Sequence, residues 1–364
     1  MKKNKIGLLT FHDTTNFGAI LQAVATYKAI KKLGYEVEII NYHNEFIDER
    51  EIPEIHNKKV SKSIKFWFKF LLRDYKQVRK HKSLLNFINQ ECLVSNKYYT
   101  KDNIKTTKKQ YDTFVVGSDM LWCLKYTKSD FSYMLDFLEN SVKKLAFATS
   151  IGFEWNDSEK AQIKPLLENF NDIALREEDS CIIVSKMLNR QIPWVCDPTM
   201  LVEPKEWIKY TRNTNCKEYA LIYMDDAHNN CLNAAKEYSK NNDIDVRLLS
   251  FRFNFDIRKK SYKYIEAYTI GEFLTLIKNA EFLFTSSFHG MLFAIYFHVP
   301  FVFFNKDSSR LISLAKKLGL ENRNGNIYDF KNMQPINWEE VDKKREEFRI
   351  NSFNILKGIL ADNE

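Results

Sequence analysis

Apolar residues along the chain keep two alternating rhythms. Short runs rich in β-branched and aromatic residues, the first at Ile6 to Phe11 and the next at Val37 to Tyr42, read as strands. Between them Ile20, Leu21, Val24, Tyr27 and Ile30 recur at three- and four-residue spacing, which predicts a helix over 18–33 with Gly34 as its stop. Runs at Phe114 to Gly117, Lys144 to Ser150, Ile173 to Arg176 and Trp194 to Asp197 complete a first predicted sheet, and Asp197-Pro198 marks the exit from it. A second set follows at Tyr219 to Met224, Val246 to Leu249, Glu281 to Thr285 and Phe301 to Phe304. A last helix is predicted over Trp338 to Leu360, where Trp338, Val341, Phe348, Phe353, Leu356 and Ile359 repeat. Alternating strands and helices predict parallel α/β construction in two doubly wound domains, with a cleft where the strands' carboxyl ends meet.

The chain has 364 residues, 45% hydrophobic and 28% charged, a length that fits two domains each able to bury its own core. Only 10 Gly and 7 Pro occur, which excludes collagen-like and low-complexity classes. Six cysteines stand singly, with no CxxC pair and no zinc-spaced histidine, so a disulfide scaffold is excluded and a reducing cytoplasm without a bound metal is expected. The apolar run from Ile6 stops at His12 and Asp13, too short for the core of a signal peptide, and no export is expected. Phe282 to Phe304 lacks Asp, Glu, Lys and Arg, but it contains Thr285, Ser286, Ser287, His289, Gly290, His298 and Pro300. Strand, turn, buried helix and strand fit it better than a membrane span.

Charge is unevenly placed. Residues 56–110 hold 15 Lys and Arg against 3 Asp and Glu, a local surplus of +12 in a chain of net +8, which leaves the rest close to −4. Overall basicity therefore gives no reason to expect nucleic acid as a partner. Within this stretch Ser63 to Val78 mixes apolar and aromatic residues with Lys65, Lys69, Arg73 and Lys76. Such a basic amphipathic helix either lies on an anionic membrane surface or packs its aromatic side on the first domain.

Two loops combine small, polar and titratable residues at a strand-to-helix turn. The first, Thr10 to Ala19, includes Asn16 and Gly18 and lacks both GxGxxG and GxxxxGK[ST], which disfavours a nicotinamide site and a P-loop. It either presents backbone N–H groups to an anion or is an ordinary turn in which Asn16 and Gly18 supply unusual dihedrals. The second, Thr285 to Gly290, carries His289, which can give or take a proton near neutrality at a helix amino terminus suited to a phosphate or carboxylate. A hydrogen-bonded core histidine is the alternative there, and His298 reads as structural. Arg176, ahead of Glu177, Glu178 and Asp179, can hold an anionic ligand bidentately or pair with those acids. Lys306, Arg310 and Arg323 follow the last strand.

In order along the chain, GLLTFHDTTNFGAILQA (7–23), FVVGSDMLW (114–122), FATSIG (147–152), ALREEDS (174–180), CDPTML (196–201) and FTSSFHGMLFAIYFHVPFV (284–302) resemble the polysaccharide pyruvyl transferase family. The likeness runs from about residue 6 to Arg323, with 45–85 poorly matched. It implies two Rossmann-like domains in a GT-B-like arrangement around a central cleft: 1–200, carrying a basic helical insertion at about 45–110, and 201–364, carrying the SFHG loop and the terminal helix. It also implies transfer of the enolpyruvyl group of phosphoenolpyruvate, a donor substrate and no cofactor, to two sugar hydroxyls as a cyclic ketal. His289 matches the family's general acid and Arg176 its donor-gripping arginine. Asn16, Gly18, Ser118, Asp119, Ser286, Ser287 and Gly290 fall on matching loops, and Lys306 falls near a later lysine. Met120 and Cys123 replace polar positions of the family's usual GSDQxWN, and Ser287 stands where some branches carry arginine, a cation that Arg310 would replace.

The implied acceptor is a glycan or lipid-linked saccharide of a cell-surface polysaccharide. The implied location is the cytoplasm, with the inner face of the membrane within reach of residues 63–80. Two other functions remain open at this point: a GT-B glycosyltransferase using a nucleotide sugar, and a non-enzymatic module in which the basic stretch binds membrane or nucleic acid.

Overall fold

The computed structural model describes residues 5–53, 75–212, 219–224, 229–250, 262–304, 309–326 and 334–361. Contacts divide the chain into two units, Met1–Val202 with Glu346–Glu364, and Glu203–Arg345.

In the first unit the described strands are β1 (Lys5–Leu9), β2 (Glu36–Ile39), β3 (Thr113–Val116), β4 (Lys143–Thr149) and β5 (Asp172–Leu175). All pair in parallel, in the order β2-β1-β3-β4-β5. Ile6, Leu8 and Leu9 and the whole of β3 are buried, as expected for a sheet covered on both faces. The helix Phe17–Lys32 crosses from β1 to β2 and buries nearly all of its first three turns. Its apolar residues follow the predicted spacing, and Gly34, at φ +91°, ends it.

The second unit repeats the plan with β6 (Tyr219–Met224), β7 (Asp245–Ser250), β8 (Lys263–Ile265), β9 (Phe282–Thr285) and β10 (Phe301–Phe303). Their order is β10-β9-β6-β7-β8, again all parallel. Residues 282–303 form strand, buried helix (Phe288–Tyr296) and strand, and among the described residues no helix is long and apolar enough to cross a membrane.

Two expectations need correction and one strand has to be added. Trp194 to Asp197 is no sheet strand: only Trp194 bridges to Leu175. Pro193 offers no N–H to a ladder, and the Asp197 side chain starts the 3₁₀ turn Pro198–Leu201 by accepting from Thr199 N. The short edge strand β8 was not anticipated, since Lys263–Ile265 is too brief to show a period. The terminal helix Trp338–Leu360 was assigned with 201–364, yet from Glu346 onward it belongs to the first unit. There Ser352 Oγ accepts from Cys196 N at 2.8 Å, and the Phe348 and Trp194 rings meet edge to face at 5.4 Å.

Residues 63–74 of the anticipated basic helix lie outside the described residues. The helix Tyr75–Glu91 packs against Phe17–Lys32, burying Leu84 and Ile88, each of which contributes about 1.5–3 kcal/mol. Lys80 is buried with Nζ 4.0 Å from the centroid of the Phe17 ring, and burial lowers its pKa to about 8.

Candidate active site

In a doubly wound sheet the chain reverses its direction of travel at one place, and the loops leaving there open a crevice at the strands' carboxyl ends. The reversal lies between β1 and β3 in the first unit and between β6 and β9 in the second. The motif loops singled out in the sequence leave the carboxyl ends of β1, β3 and β9.

In the first unit, Thr10 Oγ1 donates to the Ser118 carbonyl at 3.2 Å and accepts from Gln22 Nε2 at 2.9 Å, tying the β1 loop to the β3 loop. Asn16 caps the helix Phe17–Lys32, its Oδ1 accepting from Gly18 N at 2.9 Å. The unusual dihedrals considered for this turn do not occur: Asn16 is extended at φ −89°, and Gly18 is not among the positive-φ residues. The unusual residue is Asp119, at φ +81°. Its carbonyl accepts from Leu121 N at 2.8 Å and Ser150 N at 3.0 Å, while its Oδ1 accepts from Met120 N at 2.8 Å. A non-glycine residue held in such a conformation costs about 1–3 kcal/mol, and such residues concentrate where function demands a fixed geometry.

Arg176 leaves the end of β5 with its side chain only 1% exposed. Its Nη1 donates to Asp197 Oδ2 at 2.8 Å and Ser118 Oγ at 3.1 Å, its Nε donates to Glu177 Oε1 at 3.0 Å, and its Nη2 lies 3.8 Å from Asp119 Oδ1. Burial alone would lower the pKa of the guanidinium, but Glu177, Asp197 and Asp119 outweigh it and hold the group charged well above its ordinary range. Ser118, Asp119 and Arg176 are thus brought together. Asp197 joins them without having been foreseen, although it is the second residue of the CDPTML piece.

In the second unit, Thr285 Oγ1 donates to the Tyr223 carbonyl at 2.6 Å and accepts from Ser287 N at 3.0 Å. Ser286 N donates to the same carbonyl at 3.3 Å, and Ser287 Oγ caps the helix Phe288–Tyr296 by accepting from Gly290 N at 3.2 Å. Gly290 is dictated by close approach: a Cβ there would stand 2.6 Å from Thr285 Oγ1 and 2.8 Å from the Tyr223 ring. His289 is the second residue of this helix and 9% exposed. Ser286, Ser287, His289 and Gly290 therefore share one turn. Arg310 is the second residue of the helix Ser309–Leu318 and half-buried, while Lys306 lies outside the described residues. His298 stacks on Trp338 at 4.9 Å and meets Asp342 at 2.9 Å.

A histidine cluster in the first unit escaped sequence reasoning because its members come from three separated segments. Asp13 Oδ1 accepts a hydrogen bond from His81 Nε2, and Asp13 Oδ2 lies 3.9 Å from His43 Nε2. His12 Nε2 and His43 Nε2 face Asn41 Oδ1 at 3.0 and 2.8 Å. Burial raises the pKa of Asp13, but the hydrogen bond and charge of His81 outweigh it and leave the carboxyl below its usual range. Among the described residues no group of three or more His, Cys, Asp or Glu side chains is arranged to hold a metal ion.

A sequence profile of polysaccharide pyruvyl transferases matches residues 16–308, most of the chain, including the turns after β3 and β9. The chain belongs to the polysaccharide pyruvyl transferase family. A search of curated proteins returned no significant match. Among solved structures, this pyruvyl transferase family member is similar to the UDP-GlcNAc 2-epimerase of Neisseria meningitidis bound to UDP-GlcNAc, with TM-score 0.53 and 10% identity over 99% of this chain and 100% of that one. It is also similar to a glycosyltransferase from Rickettsia africae, with TM-score 0.52 and 12% identity over 100% of both chains. The Methanocaldococcus jannaschii UDP-GlcNAc 2-epimerase in complex with UDP-GlcNAc and UDP gives TM-score 0.52 at 17% identity, over 95% of this chain and 92% of that one. These likenesses establish the fold class, two Rossmann-like domains of GT-B type.

Proposed function

We propose that the protein transfers the enolpyruvyl group of phosphoenolpyruvate to two hydroxyls of one sugar, forming a cyclic ketal and releasing phosphate. His289 carries this reading. It is the titratable side chain of a turn fixed by two hydroxyl caps and a required glycine, within the region matched to the family.

His289 would protonate the methylene carbon of the enol, and the adjacent carbon would take on positive charge. The first sugar hydroxyl adds there, and its proton restores the histidine. The carbon–oxygen bond to phosphate then breaks, the second hydroxyl adds, and its proton leaves with the phosphate. The positive end of the helix Phe288–Tyr296 favours the donor's carboxylate and phosphate, and Lys306 and Arg310 are the cations proposed to assist. Arg176 has its guanidinium engaged by Asp197 and Glu177, so we assign it to holding Ser118 and Asp119 in place toward the substrate. Asn16 and Gly18 set the loop on the same side of the sheet.

The acceptor is proposed to be a saccharide of a cell-surface glycan or its lipid-linked precursor, modified in the cytoplasm at the inner face of the membrane. The fold shared with a glycosyltransferase supports a second reading, transfer from a nucleotide sugar. Incubation with labelled phosphoenolpyruvate and, separately, with labelled nucleotide sugars decides between them by which label reaches the acceptor.

A further inference from the structure

The carboxyl ends of β1 and β2 carry a surface that the proposed chemistry leaves unused. Asp13 and His12 reach it from β1, and Asn41, His43 and Asp48 reach it just beyond β2. Tyr98 lies on the segment whose Val94 and Tyr99 bridge in parallel to Ile39 and Tyr42. The His43 ring is held from several sides: Nε2 faces Asn41 Oδ1 at 2.8 Å, Nδ1 faces Asp48 Oδ2 at 3.0 Å, and His12 meets it edge to face at 5.8 Å. Tyr98 stacks on that fixed ring at 4.2 Å with the planes 17° apart, yet it remains 52% exposed. One face of the tyrosine is therefore supported, and about half of the residue remains open to solvent.

A pyranose ring presents a face of C–H groups that packs on an aromatic ring and an edge of hydroxyls that need acceptors. A supported tyrosine beside oriented carboxylates offers both at small entropic cost. The local field is negative. Burial, and then the charges of Asp48, Asp13 and Glu45, raise the pKa of the Tyr98 phenol. Such a field repels an anionic sugar.

We propose that Tyr98, His43, Asp48 and Asp13 form a saccharide subsite for a neutral or amino hexopyranoside, with the sugar stacked on Tyr98 and its hydroxyls bonded to the two carboxylates. It rests on the reading of the protein as a sugar-modifying transferase, whose acceptor it assigns to a class.

Saturation-transfer NMR on the full chain tests it with methyl galactoside, methyl glucoside, methyl glucosaminide and methyl glucuronide. The first three are expected to bind and the glucuronide to be excluded. Tyr98→Ala is expected to weaken binding about tenfold or more, whereas Tyr75→Ala, at a tyrosine 56% exposed elsewhere in the unit, leaves it unchanged. Asp48→Asn keeps the side-chain volume and is expected to admit the glucuronide. Absence of glycoside binding, equal binding of the glucuronide, or wild-type binding by Tyr98→Ala overturns the subsite. Phosphate release from phosphoenolpyruvate, measured separately, tests the transfer chemistry: binding at Tyr98 without any release leaves the subsite standing and rejects the chemistry.

Discussion

The loops at the carboxyl ends of the two sheets are fixed with different materials. In the first unit charge is added to neutral bonds such as Thr10 to Ser118, with Arg176 held between Asp197 and Glu177 and Asp13 set among imidazoles. In the second unit the turn is fixed by neutral hydroxyls and a close glycine contact, and His289 is its ionisable side chain. Charges satisfied by one another build a rigid platform. A neutral turn whose one ionisable side chain is a histidine suits the proton transfer proposed for it.

The largest contrast is expected from His289→Ala. Loss of a general acid removes about 10²–10⁴-fold in turnover, and phosphate release should fall by that much while the thermal midpoint stays near wild type. Arg176→Met should behave in the opposite way, leaving buried carboxylates without their cation and costing about 3–5 kcal/mol of stability by denaturant titration. If Arg176→Met keeps its stability and loses only turnover, the division between charged platform and neutral chemical turn fails. Gly290→Ala tests the neutral turn itself: its Cβ would press on Thr285 Oγ1, costing about 1–3 kcal/mol in the same titration. Arg310→Ala is expected to raise the donor's apparent KM about tenfold, equivalent to about 1.4 kcal/mol, with kcat little changed in steady-state assays.

The smallest effect concerns pH. Burial lowers the pKa of His12, overcoming the opposing charge of Asp13. The folded protein therefore takes up this proton later than the unfolded chain on acidification. Its contribution to stability is complete above the ordinary value of 6.5 and is lost as pH falls through the lowered folded value. Thermal midpoints measured from pH 8 to pH 5 should decline less steeply for His12→Gln than for wild type.

Much of the fold was legible because strands such as β3 and β9 are buried along their whole length and read as unbroken apolar runs. The same logic misled at Trp194 to Asp197, where the short apolar run Trp194 to Cys196 follows Pro193 and pairs only at its start. At the site, the motif pieces marked Ser118, Asp119, Arg176 and His289, each adjacent in sequence to the turn it serves. The partners that define their surroundings were hidden. Asp197 reaches Arg176 across the end of the sheet, and His81 reaches Asp13 from a helix whose segment carries no motif. Pairings of that kind depend on tertiary approach and leave no spacing to read.

The return of the terminal helix to the first unit has a consequence for how the protein is made. Residues 203–345 interrupt the first unit, and its Ser352 and Phe348 partners for Cys196 and Trp194 come from after that interruption. Chains leave the ribosome amino end first, so the first unit waits with that surface uncovered while the whole second unit is synthesised. A chain stopped short of Glu346 would keep both switch-point turns and lack the segment that closes the first unit.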